Sequence, residues 1–230
     1  GGAPLPRCPD PRIRARAVDP TSSALDGGLL DAVLRDPVAS IRRRALDVLR
    51  ARCAAEFVDR LRSACFDRSA AVRDYALFHL RSAGRLDATA LAAEARERIA
   101  AARGDVLGPA GLLCDLDADR PEDLEPLCGH PSGGLRLLVK ARLLGRLRDG
   151  APVDPKLRGD ASPRVVRALV PHLRSRGIEP DAASLVRSVE SSATDGEACA
   201  WLRVLARLDV WDALPCLVRA MGDRRSGGAG

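Results

Sequence analysis

Rings, lysine and histidine are all scarce in this sequence. Two Trp, one Tyr and three Phe are the only aromatics in 230 residues, and there are three His. Lys140 and Lys156 are the only lysines among 37 basic residues. So few rings argue against a base-stacking platform for single-stranded nucleic acid. The seven cysteines form no C-x-x-C pair and no zinc-like spacing, and most sit in apolar runs, where a free thiol behaves as a small hydrophobe. They read as reduced core residues of an intracellular protein. No apolar stretch approaches the ~20 residues that span a bilayer, and no basic segment leads into an apolar signal-like run. The expectation is a cytoplasmic protein with no membrane partner. No segment alternates with period two, so no sheet is expected.

The chain does have helix-forming, apolar and charged residues in quantity. AVILMFWYC make up 46% and DEKR 30%, enough to bury a core and to exclude disorder throughout. The net charge is +6, carried almost entirely by Arg. An Arg-rich, Lys-poor mix is also the bacterial-type composition of GC-rich genomes, so Arg abundance alone is weak evidence for phosphate binding. The excess is uneven: residues 1–81 hold 15 basic and 10 acidic side chains, and the remainder is close to balanced.

Self-similarity organises the chain. The segment Asp36-Pro-Val-Ala-Ser-Ile-Arg-Arg-Arg-Ala-Leu-Asp-Val-Leu49 aligns without a gap on Asp67–Leu80, and a third copy runs Asp160–Leu173. Each begins with Asp and has a β-branched residue five places on: Ile41, Val72 and Val165. Apolar residues recur nine, ten and thirteen places on, and these offsets share one face of a helix. Weaker copies keep only that stripe: Leu112, Leu113 and Leu116; Val139, Leu143, Leu144 and Leu147; Trp201, Leu202 and Leu205. Six copies starting near residues 36, 67, 103, 134, 160 and 192 give an average spacing of about 31. Between them lie shorter helical segments at Leu25–Arg35, Ala54–Phe66, Ala88–Ala101, Pro121–Leu127, Asp181–Glu190 and Trp211–Met221. The expected fold is all-α: an α-solenoid of about six antiparallel helix pairs stacked in a right-handed superhelix. The expected divisions are a Pro/Arg-rich, partly irregular segment over 1–23, the repeats over 24–223 and a Gly-rich tail over 224–230.

The run Asp-x-x-x-x-Val-Arg-x-x-Ala-x-x-x-Leu at Asp67–Leu80, with Ile for Val at Asp36–Leu49, resembles the second helix of HEAT repeats. Asp212–Asp223 resembles a first helix and its following turn, which predicts that the protein continues past residue 230 or that this helix serves as a cap. The Asp160 copy departs from the pattern: Val166 replaces Arg, and Pro171 is expected to interrupt its helix. The resemblance implies a non-catalytic scaffold with no cofactor, presenting a concave surface to a protein, or to another domain of the same chain. It also implies that Arg42 and Arg73 form a structural ladder, pairing with Asp36, Asp67 or loop carbonyls of adjacent repeats.

Candidate sites for other chemistry are few. His79 and His172 share one repeat position about three repeats apart, and His130 lies in a Gly/Pro loop, so no metal site is expected. The acidic run Asp115–Glu125 opens like a calcium loop but has Arg120 where Gly belongs and Pro126 where Glu belongs. The helix face opposite the buried stripe holds Arg43, Arg44 and Asp47; Asp74, Tyr75 and Phe78; and Arg164, Arg167 and Pro171. In the family, second helices line the concave side, so Arg43, Arg44, Tyr75, Phe78, Arg164 and Arg167 become the candidate partner-binding set. The alternative is that Tyr75 and Phe78 cover a neighbouring helix. Two competing functions remain. One is a DNA or RNA backbone-binding module related to HEAT-like DNA glycosylases, whose catalytic Asp and Trp find no counterpart here. The other, suggested by the family's breadth alone, is a lyase or chaperone.

Overall fold

A computed structural model describes residues 8–18, 27–52, 56–101, 105–148, 150–208, 214 and 218. Among these the regular structure is entirely helical, and no helix is long and apolar enough to cross a membrane. The chain divides into two compact units, Gly1–Asp119 and Arg120–Gly230.

The first unit contains α1 (Pro11–Ala17), α2 (Gly27–Leu34), α3 (Ala39–Ala51), α4 (Phe57–Ala64), α5 (Ala70–Ser82), α6 (Ala88–Ala100) and α7 (Leu107–Asp115). Here α2 packs on α3, α4 on α5, and α6 on α7, while α1, α3, α5 and α7 touch in succession. The helices carrying the sequence repeat therefore form one row, with the intervening helices laid against it. Ile41, Ala45, Leu46 and Leu49 of α3 and Val72, Ala76, Leu77 and Leu80 of α5 are buried in one cluster. Each fully buried Leu or Ile contributes about 1.5–3 kcal/mol.

The second unit contains α8 (Pro121–Leu124) running into a 3-10 turn (Glu125–Gly129), then α9 (Gly133–Arg146), α10 (Pro155–Arg158), α11 (Pro163–Arg174), α12 (Ala182–Glu190) and α13 (Asp195–Leu205). Again the repeat-bearing helices follow one another, α9 on α11 and α11 on α13. The short α10 contacts both α9 and α11, and α12 packs along α13. Val166, Val170, Leu185, Trp201, Val204, Leu205 and Leu208 form one buried cluster.

Local chemistry sets the helix starts. Asp36, Asp67, Asp105 and Asp160 each accept the backbone N–H two residues on, from Val38, Ser69, Leu107 and Ser162. Asp87, Ser132, Asp181 and Thr194 accept an N–H three residues on, satisfying a first-turn donor. Pro11, Pro155 and Pro163 occupy the first helical position, where no N–H is needed.

Three details differ from the sequence expectation. The copy assigned near 134 starts four residues earlier, at His130, so that Leu135, Val139 and Leu143 are its buried stripe, and Leu147 lies just past the helix, half-buried. The copy assigned near 103 starts at Asp105, the residue that accepts the Leu107 N–H. Helix α11 continues through Pro171 to Arg174. Pro171 stands in the last turns with its ring exposed, so only one intrahelical donor is lost. Within the segment 1–23, residues 11–17 are helical. The expected helix Trp211–Met221 lies outside the described residues except for Leu214 and Val218, both helical and exposed, and the tail 224–230 lies wholly outside them.

Candidate interaction surface and an arginine ladder

Turn aspartates and helix arginines of several repeats form a set of buried and part-buried rungs. Arg42 donates Nε and Nη2 to the carboxylate of Asp67 at 2.7 and 2.5 Å, and Nη1 to the carbonyls of Asp36 and Pro37 in its own turn. Arg14 repeats this arrangement one layer earlier, with Nε and Nη2 on Asp36 at 2.7 and 3.2 Å and Nη1 on the carbonyls of Cys8 and Pro9. In the second unit Arg136 holds Asp160 with two 2.8 Å bonds and reaches back to the carbonyls of His130 and Pro131. Every guanidinium thus bridges its own turn to the carboxylate of the next, a planar fork matched to a carboxylate.

Arg73 departs in one respect. It donates to its own turn at Asp67 O (2.9 Å), but its carboxylate partner is Asp115 (2.6 Å), ten residues beyond the turn residue Asp105. Space permits this because the sixth place of that copy is Gly111, not Arg. A Cβ at Gly111 would lie 2.5 Å from both Cζ and Nη2 of Arg73. The guanidinium occupies the volume a side chain would fill.

Burial and hydrogen bonding oppose each other at the carboxylates. Burial pushes Asp36 up, but the bonds from Arg14 and the Val38 N–H outweigh it and hold the carboxyl below the usual range. Asp160 faces the same burial and is drawn down to about 2 by Arg136, Lys140 and the Ser162 N–H. Lys140 is itself buried, its Nζ donating to Gly159 O at 2.6 Å and to Asp160 at 2.9 Å. It stands ten places into its copy, where Leu46 and Leu77 stand in theirs.

The sequence singled out Asp36, Arg42, Asp67 and Arg73. Their partners Arg14 and Asp115, and the separate Arg136–Asp160–Lys140 cluster of the second unit, escaped it as ladder members. A signal was present: Ile13-Arg14 and Leu135-Arg136 repeat the apolar-Arg pair of Ile41-Arg42 and Val72-Arg73, with Cys8 and His130 in place of the leading Asp.

The candidate partner face divides between the units. On α3, Arg43 is exposed and Arg44 donates Nε to Val18 O at 2.6 Å. Tyr75 on α5 is half-buried and donates its hydroxyl to Asp47 of α3 at 2.7 Å. Burial first, then this bond and the Asp47 charge, push its phenol up to about 12. His79 packs against the rings of Tyr75, Phe78 and Phe57 at 4.3, 5.1 and 6.1 Å. Burial, aided by the Arg50 charge, lowers its pKa. Phe78 stands at the edge of this cluster, 62% exposed. Tyr75 therefore ties α5 to α3, while Phe78 faces solvent. Arg164 and Arg167 are exposed on α11 of the second unit.

The remaining candidates are structural or scattered. His130 accepts the Ser132 N–H through Nδ1 at 3.1 Å, and His172 is exposed. In the acidic run, Asp115 serves Arg73 and Asp123 accepts the Arg120 N–H. Among the described residues no three His, Cys, Asp or Glu side chains come together as a metal site. Cys8, Cys65 and Cys128 are free thiols; Cys53 and Cys216 lie outside the described residues. Comparison with known proteins gives no match to a family model, to a curated protein or to a solved structure.

Proposed function

We propose that this chain is a non-catalytic, HEAT-like α-solenoid that binds a protein partner through the exposed face of its repeat helices. The observation that carries the reading is Phe78. It is the only Phe, Tyr or Trp among the described residues that stands mostly in water, and it sits on a base made rigid by the Tyr75–Asp47 bond and the His79 ring. A rigid, exposed ring is the kind of anchor on which interfaces concentrate their energy.

The arginines favour a protein over a nucleic-acid backbone. Arg14, Arg42, Arg73 and Arg136 are spent on internal carboxylates, so their guanidiniums are turned away from any phosphate. The displaced carboxyls, Asp36 and Asp160, are likewise engaged in structural pairs and not poised for proton transfer.

The test uses the full chain, immobilised and exposed to an extract of its source organism, against a Phe78→Glu, Arg43→Glu variant. Both sites are exposed, so thermal unfolding should change little. Loss of specifically captured proteins by the variant is expected; equal capture by both refutes this face. Duplex DNA binding that weakens steeply between about 50 and 200 mM salt would move the reading to nucleic acid.

A further inference from the structure

The ladder is interrupted in the second unit, and a cavity lies at the interruption. The copy beginning at Asp160 has Val166 in the sixth place, where four other copies have Arg14, Arg42, Arg73 and Arg136 and the Asp105 copy has Gly111. The next copy begins near residue 192 with Ser192, so the receiving carboxylate is replaced as well. In the first unit, Arg42 lines a cleft of about 190 Å³ together with Leu34, Arg60, Asp67 and Val72. At the corresponding place in the second unit, Val166 lines a cavity of about 390 Å³. That volume lies within the roughly 300–1,000 Å³ range of small-molecule sites.

The cavity combines apolar lining residues with one exposed guanidinium. Val166, Leu185 and Trp201, all from the buried cluster, form the floor, and Pro180 adds to it. Trp201 is only 4% exposed and contributes to the cavity lining. Arg158, on α10, stands exposed on the wall and pairs with no carboxylate among the described residues.

The buried acid of the cavity is already engaged. Asp160 accepts from Arg136 twice, from Lys140 and from the Ser162 N–H. Asp181 accepts the Ser184 N–H at the start of α12 and lies 4.0 Å from Arg187. The Ser188 hydroxyl donates to Ser184 O. An exposed guanidinium beside an apolar lining complements an anionic group on an apolar body.

We propose that this cavity binds a small carboxylate with an aromatic or branched aliphatic body, its carboxylate on Arg158 and its body against Val166, Leu185 and Trp201. The site belongs to the second unit and is independent of the Phe78 face, so Phe78→Glu leaves it unchanged and the two readings fail separately.

The experiment titrates the full chain with phenylacetate, 4-methylpentanoate and, as the neutral match, phenylacetamide, following the indole N–H resonances; Trp201→Phe assigns the signal. Saturable shifts of the Trp201 resonance by an acid are expected, with the amide about tenfold weaker, the factor that loss of one charge-assisted bond produces. Arg158→Ala, at an exposed position, should weaken acid binding about tenfold and leave amide binding unaltered. Ser184→Trp, which fills the mouth from another wall, should abolish both. No shift of Trp201 by either acid at millimolar concentration overturns the proposal, as does equal affinity for acid and amide or indifference to Arg158→Ala.

Discussion

Replacing Gly111 by Ala tests the ladder by the sign of its effect. In the interior of a helix Gly→Ala ordinarily stabilises by about 0.5–1 kcal/mol, because the unfolded chain loses freedom. Gly111 lies inside α7, yet a Cβ there would meet Arg73 Cζ and Nη2 at 2.5 Å and Nη1 at 2.7 Å. A free side-chain tip would swing aside at little cost. Arg73 cannot, because its guanidinium is buried and held at 2.6 Å by Asp115 and at 2.9 Å by Asp67 O. Making room means giving up the bond to Asp115, and a hydrogen bond between charged groups is worth about 1.5–3 kcal/mol. The Asp115 side chain is 23% exposed, so water recovers part of that loss. Set against the Ala gain, the net expectation is destabilisation by about 1–2 kcal/mol.

Urea unfolding of the full chain reads this as a lower midpoint at unchanged slope. The decisive arm is Arg73→Ala, in which the obstructing guanidinium is gone. There Gly111→Ala should revert to a gain of about 0.5–1 kcal/mol, so the double-mutant cycle shows coupling of about 2 kcal/mol. A raised midpoint for Gly111→Ala alone, or the same shift in both backgrounds, refutes the placement of Arg73 against Gly111.

Two titrations probe other rungs and ties. Asp160, held near 2 in the folded chain, adds stability that is present above its unfolded pKa near 3.8 and is lost as pH falls toward 2. Asp160→Asn should flatten unfolding free energy against pH in that window by no more than about 2 kcal/mol, and an unchanged slope argues against the Arg136–Asp160–Lys140 cluster. Tyr75 is the only tyrosine, so phenolate absorbance reports it without interference. Its folded pKa is raised from 10 to about 12, so its contribution is complete below pH 10 and is lost as pH rises toward 12. Asp47→Asn should lower the observed midpoint, and a wild-type midpoint at 10 contradicts the part-buried bond to Asp47.

The repeat was legible where each place of the pattern was filled by its usual residue type. Asp36–Leu49 and Asp67–Leu80 disclosed their buried stripes because offsets five, nine, ten and thirteen all carried apolar side chains. The copy at His130 was read four residues late, since Lys140 breaks the apolar stripe and Leu144 and Leu147 continue a similar spacing one turn on. A sequence cannot announce that a lysine is buried, because the carboxylate that makes this tolerable, Asp160, lies twenty residues away.

By itself the sequence determined the helical class, the period and the apolar face, all of which depend on neighbours within a few turns. The resemblance to HEAT repeats marked Arg42 and Arg73 as ladder residues. Tertiary structure decided the partner of each arginine, because the choice of Asp67 for Arg42 and Asp115 for Arg73 depends on which carboxylate the packed turns bring within 3 Å and on the missing side chain of Gly111. It decided likewise that Tyr75 is tied down while Phe78, three residues on, meets water, and that the loss of one arginine at Val166 is accompanied by a cavity. These outcomes come from contacts between layers distant in the chain, where distance and burial are settled only once the helices pack.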